Sequence, residues 1–291
     1  MVVDYKKVGF IHLTIFACLL VFAIATTSLA RVNDGFLKIY FLDVGQGDAG
    51  FIVTPAGRQI LIDGGPSDAV LSKISSRMPF YDKDIDVLIA SHKHSDHIAG
   101  LMSVLDRYDV NNIVDTKIGY SSSEVSKWNQ LKLAEGANEI EAKAGGYMDL
   151  GEGITITFLH PEDTLEGKTS KNPNDDSIVT MLQYENFRVL FVGDAGAKVE
   201  NAMMSSDIDL SADVLKVGHH GSATSTSTKF LSAVSPEVAT IEVGAKNTFG
   251  HPSPIVISRL ENNGIKYYRT DADGDIEVVS DGNFFKVNKS K

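Results

Sequence analysis

Cysteine is nearly absent. The 291-residue chain has one, Cys18, so no intrachain disulfide can form and a disulfide-stapled scaffold is excluded. Positive charge is also scarce: 27 Lys and Arg stand against 38 Asp and Glu, a formal net charge of −11. Such a chain has no overall attraction for nucleic acid, so a phosphate-rich substrate would need a local patch or metal ions. Low-complexity stretches and an obvious linker are missing, and a long apolar run occurs only near the N-terminus. What is present is globular: 43% hydrophobic and 22% charged residues, with enough chain to bury a real core.

Lys6 and Lys7 precede the apolar run 8–25, and Ser28, Leu29 and Ala30 put small residues where a signal peptidase cuts. The expectation is a secretory signal over residues 1–30 and a secreted or periplasmic domain over 31–291. The competing expectation is an uncleaved anchor, because the run is almost long enough to span a bilayer. Membrane contact would then be confined to residues 8–25. Cleavage after Ala30 would leave a mature chain without cysteine, whose fold rests on its core, or on its core plus metal.

From Phe36 onward, strand-like and helix-like patterns alternate. Strands are predicted over 36–42, 50–54, 58–63, 86–90, 154–159, 177–184, 188–192, 213–217 and 238–243. Shorter ones close the chain at 265–269, 275–279 and 284–287. Helical spacing appears at 68–78 and 97–108. The halves on either side of about residue 150 look alike in order. The predicted class is therefore α/β, with two mixed sheets packed face to face and helices outside.

The eight histidines are the most informative residues. His12 lies in the leader. Six of the others fall in three short segments: His92, His94 and His97; His219 and His220; and His251 between Gly250 and Pro252. Each segment follows an apolar strand or lies in a glycine-bounded loop, where α/β proteins put chemistry. His92 and His94, two apart at a strand end, are expected to leave the same face. Asp96 and His97 then begin the next helix. Two His, an Asp and a third His within six residues can hold two metal ions side by side. The donor set suits zinc, or manganese and iron with more oxygen. Asp194, at the end of the apolar strand 188–192, is a carboxylate able to face both ions. His219 and His220 follow another strand, and adjacent side chains diverge, so one is expected to coordinate and the other to face substrate.

This pattern resembles the metallo-β-lactamase superfamily of hydrolases: His-x-His-x-Asp-His at 92–97, a strand-end Gly-Asp at 193–194, then a His after another strand. It is most similar to the hydrolase domain of ComEC-type competence proteins, through 42–48, 61–65, 215–222 and 247–252. The resemblance covers roughly 36–280 and implies an αββα four-layer sandwich with metals at one edge. It implies that His92 and His94 hold the first metal, that Asp96, His97 and His220 hold the second, and that Asp194 bridges. Asp96 also counts among the catalytic groups, with His219 as proton donor or phosphate contact; the order of His219 and His220 stays open. Many members add a further His to the first metal. Here the interval offers only His160, read as closing a turn before Pro161, and this branch instead presents Asn174 and Ser177 near substrate. His251 is a second expected substrate contact. Asp43 and Asp48 flank a Gly-Gln-Gly turn and are read either as orienting the metal-bound histidines or as turn residues. Asp63 is read as part of a structural turn.

Two metal ions lower the pKa of a bridging water enough to supply hydroxide near neutral pH. That serves phosphoesters, esters, lactones and amides alike. Phosphodiester cleavage is expected, with DNA among the substrates, from the adjacent histidines, the open first site and the nuclease-like branch. Lys93, Lys216, Lys229 and Lys246 suggest a local basic rim. The alternative is an esterase or lactonase acting on small substrates such as phosphocholine esters, with Trp128, Tyr120 and Tyr147 lining an aromatic pocket. A non-catalytic binding protein would show lost ligand residues, and none is lost beyond the position this branch leaves vacant. No obligate protein partner is expected.

Overall fold

Alternation of apolar and polar residues sets the first strand, β1 (Leu37–Phe41), in which Leu37, Ile39 and Phe41 are buried and Lys38 and Tyr40 only partly so. The computed structural model describes residues 35–291 together with Ile15, Phe16, Cys18 and Leu19. The leader expectation for 1–30 therefore lies outside the described residues, apart from those four. Among the described residues, no helix is long and apolar enough to cross a membrane.

After β1 come β2 (Gly50–Val53), β3 (Gln59–Ile62), α1 (Ala69–Ser75), β4 (Asp84–Ile89), α2 (Ser95–Leu105), β5 (Asp109–Asp115), α3 (Ser123–Glu135) and β6 (Asn138–Glu141). The second half runs through β7 (Tyr147–Gly151), β8 (Ile154–His160), β9 (Val179–Tyr184), β10 (Phe187–Phe191), α4 (Ala197–Met204), β11 (Val214–Lys216), α5 (Thr228–Val234), β12 (Val238–Ile241), α6 (Pro254–Asn262) and β13 (Lys266–Arg269). It ends with the one-turn α7 (Thr270–Asp273), β14 (Ile276–Ser280) and β15 (Phe285–Lys289).

One sheet has the order β15-β14-β1-β2-β3-β4-β5-β6 and the other β13-β12-β11-β10-β9-β8-β7. Both are mixed: β3 to β6 and β10 to β13 run parallel, and the remaining pairings are antiparallel. Ile39, Phe41, Ile52, Ile60 and Ile89 of the first sheet share one core with Ile156, Phe158, Leu182, Val189 and Phe191 of the second. The outer face of the first sheet packs on Val70, Ile74, Ile98, Leu101 and Trp128 from its helices. The other outer face packs on Val199, Phe230, Leu231, Val256 and Leu260. The result is the four-layer αββα sandwich.

The division near residue 150 holds with one correction. The closing strands β14 and β15 do not stay with the second sheet but cross back to pair with β1 and extend the first. The parallel strands β3, β4, β10 and β11 end at the same edge of the sandwich. Their connections carry the polar residues discussed next.

Candidate metal centre

The β4 strand stops at Ile89, short of the histidines, so His92 and His94 lie in the connection to α2 rather than on a strand. They nevertheless meet. His92 Nε2 is 3.0 Å from His94 Nδ1, with the rings edge to face. His94 is the N-cap position of α2, and Asp96 and His97 occupy its first turn. The helix is pressed against the chain after β3: a Cβ on Gly100, in its second turn, would lie 1.8 Å from Gly64 O, so only glycine fits.

Two groups of side chains converge. His92, His94 and Asp194 place ligand atoms within 4.8 Å of one another, and so do Asp96, His97 and His220. Asp194 joins them. Its Oδ2 is 3.7 Å from His92 Nε2, while its Oδ1 is 3.5 Å from His97 Nε2 and 3.6 Å from His220 Nε2. Asp96 Oδ2 is 3.3 Å from His220 Nε2. His97 Nε2, His220 Nε2 and Asp194 Oδ1 are buried, and among the described residues none has a hydrogen-bond partner. Three orphaned donor atoms facing one point would be costly in a finished interior. They fit a divalent cation, and their chemistry is that of zinc or manganese ligands.

The electrostatics agree. Burial drives His92 well below the ordinary imidazole range, helped by neighbouring His97, so it is neutral as a ligand must be. Burial also opposes a charge on His97 and His220, but Asp194 with Asp63 holds the first well above its usual range. Asp194 with Asp48 lifts the second to about 10. Burial would raise Asp194, yet His220 and His97 draw it well below the carboxylate range. An ion at the second position would displace protons from the two raised histidines.

The histidines are held from behind. His97 Nδ1 donates to Asp63 Oδ2 at 2.8 Å. Asp63 also accepts from Ser91 N at 2.8 Å and from Ser91 Oγ at 2.6 Å, and that hydroxyl lies 3.0 Å from His92 Nδ1. One carboxylate thus orients a ligand of each cluster, a function that reading Asp63 as a turn residue missed. His220 Nδ1 lies 3.0 Å from Glu242 O and 3.1 Å from Asp48 Oδ1. Asp48 therefore sits behind the ligands. Asp43 does not: its carboxylate pairs with Lys291 at 2.9 Å, so it ties down the C-terminus instead.

His219 and His220 both adopt positive φ, 49° and 53°. Consecutive non-glycine residues there are strained, at about 1–2 kcal/mol each, and such strain gathers at functional sites. The turn sends His220 into the second cluster and leaves His219 outside both, with Nε2 3.6 Å from Asp194 Oδ2. Asn174 Nδ2 is 3.4 Å from both ring nitrogens of His219. His251 meets His219 edge to face at 5.6 Å. Burial keeps His219 and His251 below the usual imidazole range.

Other expectations are corrected. Ser177 is fully buried, and its hydroxyl accepts from Asp194 N at 3.3 Å, so it supports Asp194 from behind and is closed off from substrate. His160 donates from Nδ1 to Ser177 O at 2.8 Å and stays structural. Lys93 and Lys216 form no basic rim: both are buried, paired with Asp115 and Asp48 respectively. Lys229 and Lys246 are exposed. Trp128 is buried and donates to Asp115 Oδ2 at 2.9 Å, so it lines no pocket. Of the aromatic trio only Tyr120 reaches the site, its ring 6.4 Å from that of His94.

Residues 42–244 match the description "Metallo-beta-lactamase superfamily". Curated relatives are ComEC-type competence proteins. The chain is 29% identical over 257 residues to ComE operon protein 3 of Bacillus subtilis (strain 168), covering 82% of this chain and 32% of that protein. It is also 29% identical over 247 residues to Competence protein ComA of Neisseria gonorrhoeae, covering 84% and 32%. The chain therefore spans about a third of the length of these relatives. Among solved structures, CmlA, a diiron β-hydroxylase from Streptomyces venezuelae, aligns with a TM-score of 0.53 at 13% identity, covering 87% of this chain and 54% of that one. At that identity the likeness shows the fold alone. Because that neighbour is a hydroxylase, the fold does not choose the reaction.

Proposed function

The chain belongs to the metallo-β-lactamase superfamily, and we propose that it is a two-metal phosphodiesterase of nuclease type. The observation that carries this reading is the pair of side-chain clusters that Asp194 joins, with His219 and Asn174 beside them but in neither cluster. Such an arrangement leaves protein groups free to meet a substrate that carries several oxygens. The similarity to competence proteins puts nucleic acid first among phosphodiesters.

His92, His94 and Asp194 would hold one ion, and Asp96, His97, His220 and Asp194 the other, with zinc favoured over manganese. Bound there, the ions supply an acidified water and offset charge at the attacked phosphorus. The protein does the rest. Asp63 fixes the ring of His97, and the Glu242 carbonyl fixes His220. Asn174 lies against the His219 ring, which, once protonated, can meet a phosphate oxygen and pass that proton to the leaving oxygen. Asp96, with its side chain 32% exposed, is the most open of the second ion's ligands and the one beside which a solvent molecule can approach.

His219→Ala is the test. It should keep both ions while turnover of bis(p-nitrophenyl) phosphate and of DNA falls ~10²–10⁴-fold. DNA cleavage should weaken with added salt, as phosphate contacts do. Turnover of a lactone with both phosphate substrates inert would overturn the reaction assignment and leave the ligand sets intact. Preference for p-nitrophenyl phosphocholine with little salt dependence would replace it by the esterase. We also propose that residues 1–30 direct export, which an exported chain beginning at Arg31 would support.

A further inference from the structure

Phe249 is 68% exposed on the loop between β12 and α6. A single exposed apolar side chain is ordinary. This one is fixed in a line of rings. It stacks on His251 with centroids 5.9 Å apart and planes at 25°, and His251 meets His219 at 5.6 Å. His219 Nε2 is in turn 3.6 Å from the shared carboxylate of Asp194. The rings therefore lead from solvent to the centre.

The loop is built rather than slack. Asn247 donates from Nδ2 to Gly244 O at 2.9 Å and His251 O at 2.7 Å. Its Oδ1 accepts from Phe249 N at 3.2 Å and His251 N at 3.0 Å. At the ends, Gly244 N donates to Gln46 Oε1 at 3.1 Å and Ser253 N to Gly221 O at 2.8 Å. Gly221 is so close to Pro252 that a Cβ there would lie 2.6 Å from Pro252 Cβ. Side chain and loop together hold an aromatic face toward water beside the site.

We propose that the exposed face of Phe249 is a stacking platform for a nucleobase adjoining the scissile phosphodiester, which makes single-stranded nucleic acid the substrate class. This deepens the phosphodiesterase reading and rests on it. Bases stack on aromatic side chains regardless of identity, so the platform carries no sequence preference. Duplex bases are already stacked on one another and cannot use it. A chain of net charge −11 gains little from long-range attraction to a polyanion, so an uncharged contact has more to contribute. Lys246, exposed on the same loop, offers one cation to the backbone.

The test uses the full chain loaded with zinc or manganese, as wild type, Phe249→Ala and Phe249→Trp. Binding of fluorescein-labelled oligothymidylate is compared by anisotropy with binding of an abasic oligomer of equal length, and turnover is followed on both. Wild type should bind the thymidylate about 5- to 100-fold more tightly than the abasic strand. Phe249→Ala should abolish that ratio, chiefly through KM rather than kcat, and Phe249→Trp should keep it. Equal binding of the two strands by wild type, or a ratio that survives in Phe249→Ala, overturns the platform even where diesters are cleaved. A base-dependent ratio without any diester turnover overturns the phosphodiesterase reading and the substrate assignment with it, and leaves only a base-binding ring.

Discussion

Asp194→Asn is expected to strip both metal positions and to remove the turnover that depends on them. The reason lies in its two oxygens. Oδ2 faces His92, while Oδ1 faces His97 and His220, so one carboxylate serves both clusters. An amide keeps a single acceptor and turns an NH2 toward the point where a cation would sit. The residue is also the main counter-charge for His97 and His220, whose imidazoles it raises against burial. Asp63→Asn is the informative comparison. It disturbs hydrogen bonds behind the ligands, not a ligand, and should cost only roughly 10–100-fold in metal affinity. Metal analysis after equal dialysis against a chelator, with circular dichroism to check the fold, distinguishes the two. An Asp194→Asn chain that keeps both ions and near wild-type turnover would remove Asp194 from the bridge.

Lys216→Met should be among the most destabilising single changes, at about 3–5 kcal/mol, because it removes one partner of a buried ion pair. Lys216 is buried, donates to Asp48, and also reaches Gly193 O at 3.3 Å. Without it, Asp48 and Glu242 are two carboxylates in the interior with less to balance them. Burial and Asp48 already push Glu242 up to about 8, with Lys216 pulling the other way. A carboxyl raised in the folded state contributes stability that is full below its unfolded value near 4.5 and is lost as pH rises through about 8. Denaturation of chelator-treated protein at pH 5 and pH 8.5 should therefore show the larger loss for Lys216→Met at the higher pH. Equal stability of variant and wild type at both would mean that the pair contributes nothing.

The residues that converge were legible because they are local or marked by strand ends. His92, His94, Asp96 and His97 fall within six residues, and Asp194 and His220 each follow an apolar strand. What holds them was not. Asp63 reaches Ser91 and His97 because β3 and β4 run parallel in a register that pairs Ile62 with Ile89, which no local pattern announces. Its one signal was position, at the end of a strand and before two glycines. Ser177 and Asn174 sit three apart in one segment, yet a turn of 3₁₀ helix puts the first behind Asp194 and the second at His219. The lysines beside the histidines suggested a basic rim because sequence shows charge but not burial. Elements went unread where patterning was weak. In α3 the buried residues are Val125, Trp128 and Lys132, and β5 carries Asn111 and Asn112 in mid-strand. The return of β14 and β15 to the first sheet is a long-range pairing, with Leu37 opposite Ser280, that composition and periodicity do not encode.

Counting ions is the most direct test of a two-metal centre. The chain should be stripped with chelator, reloaded separately with zinc and with manganese, freed of excess metal, and measured by plasma mass spectrometry against protein concentration. Two ions retained per chain with at least one of these metals is the expected result, since two ligand clusters meet at Asp194. No more than one ion retained with either metal would contradict it.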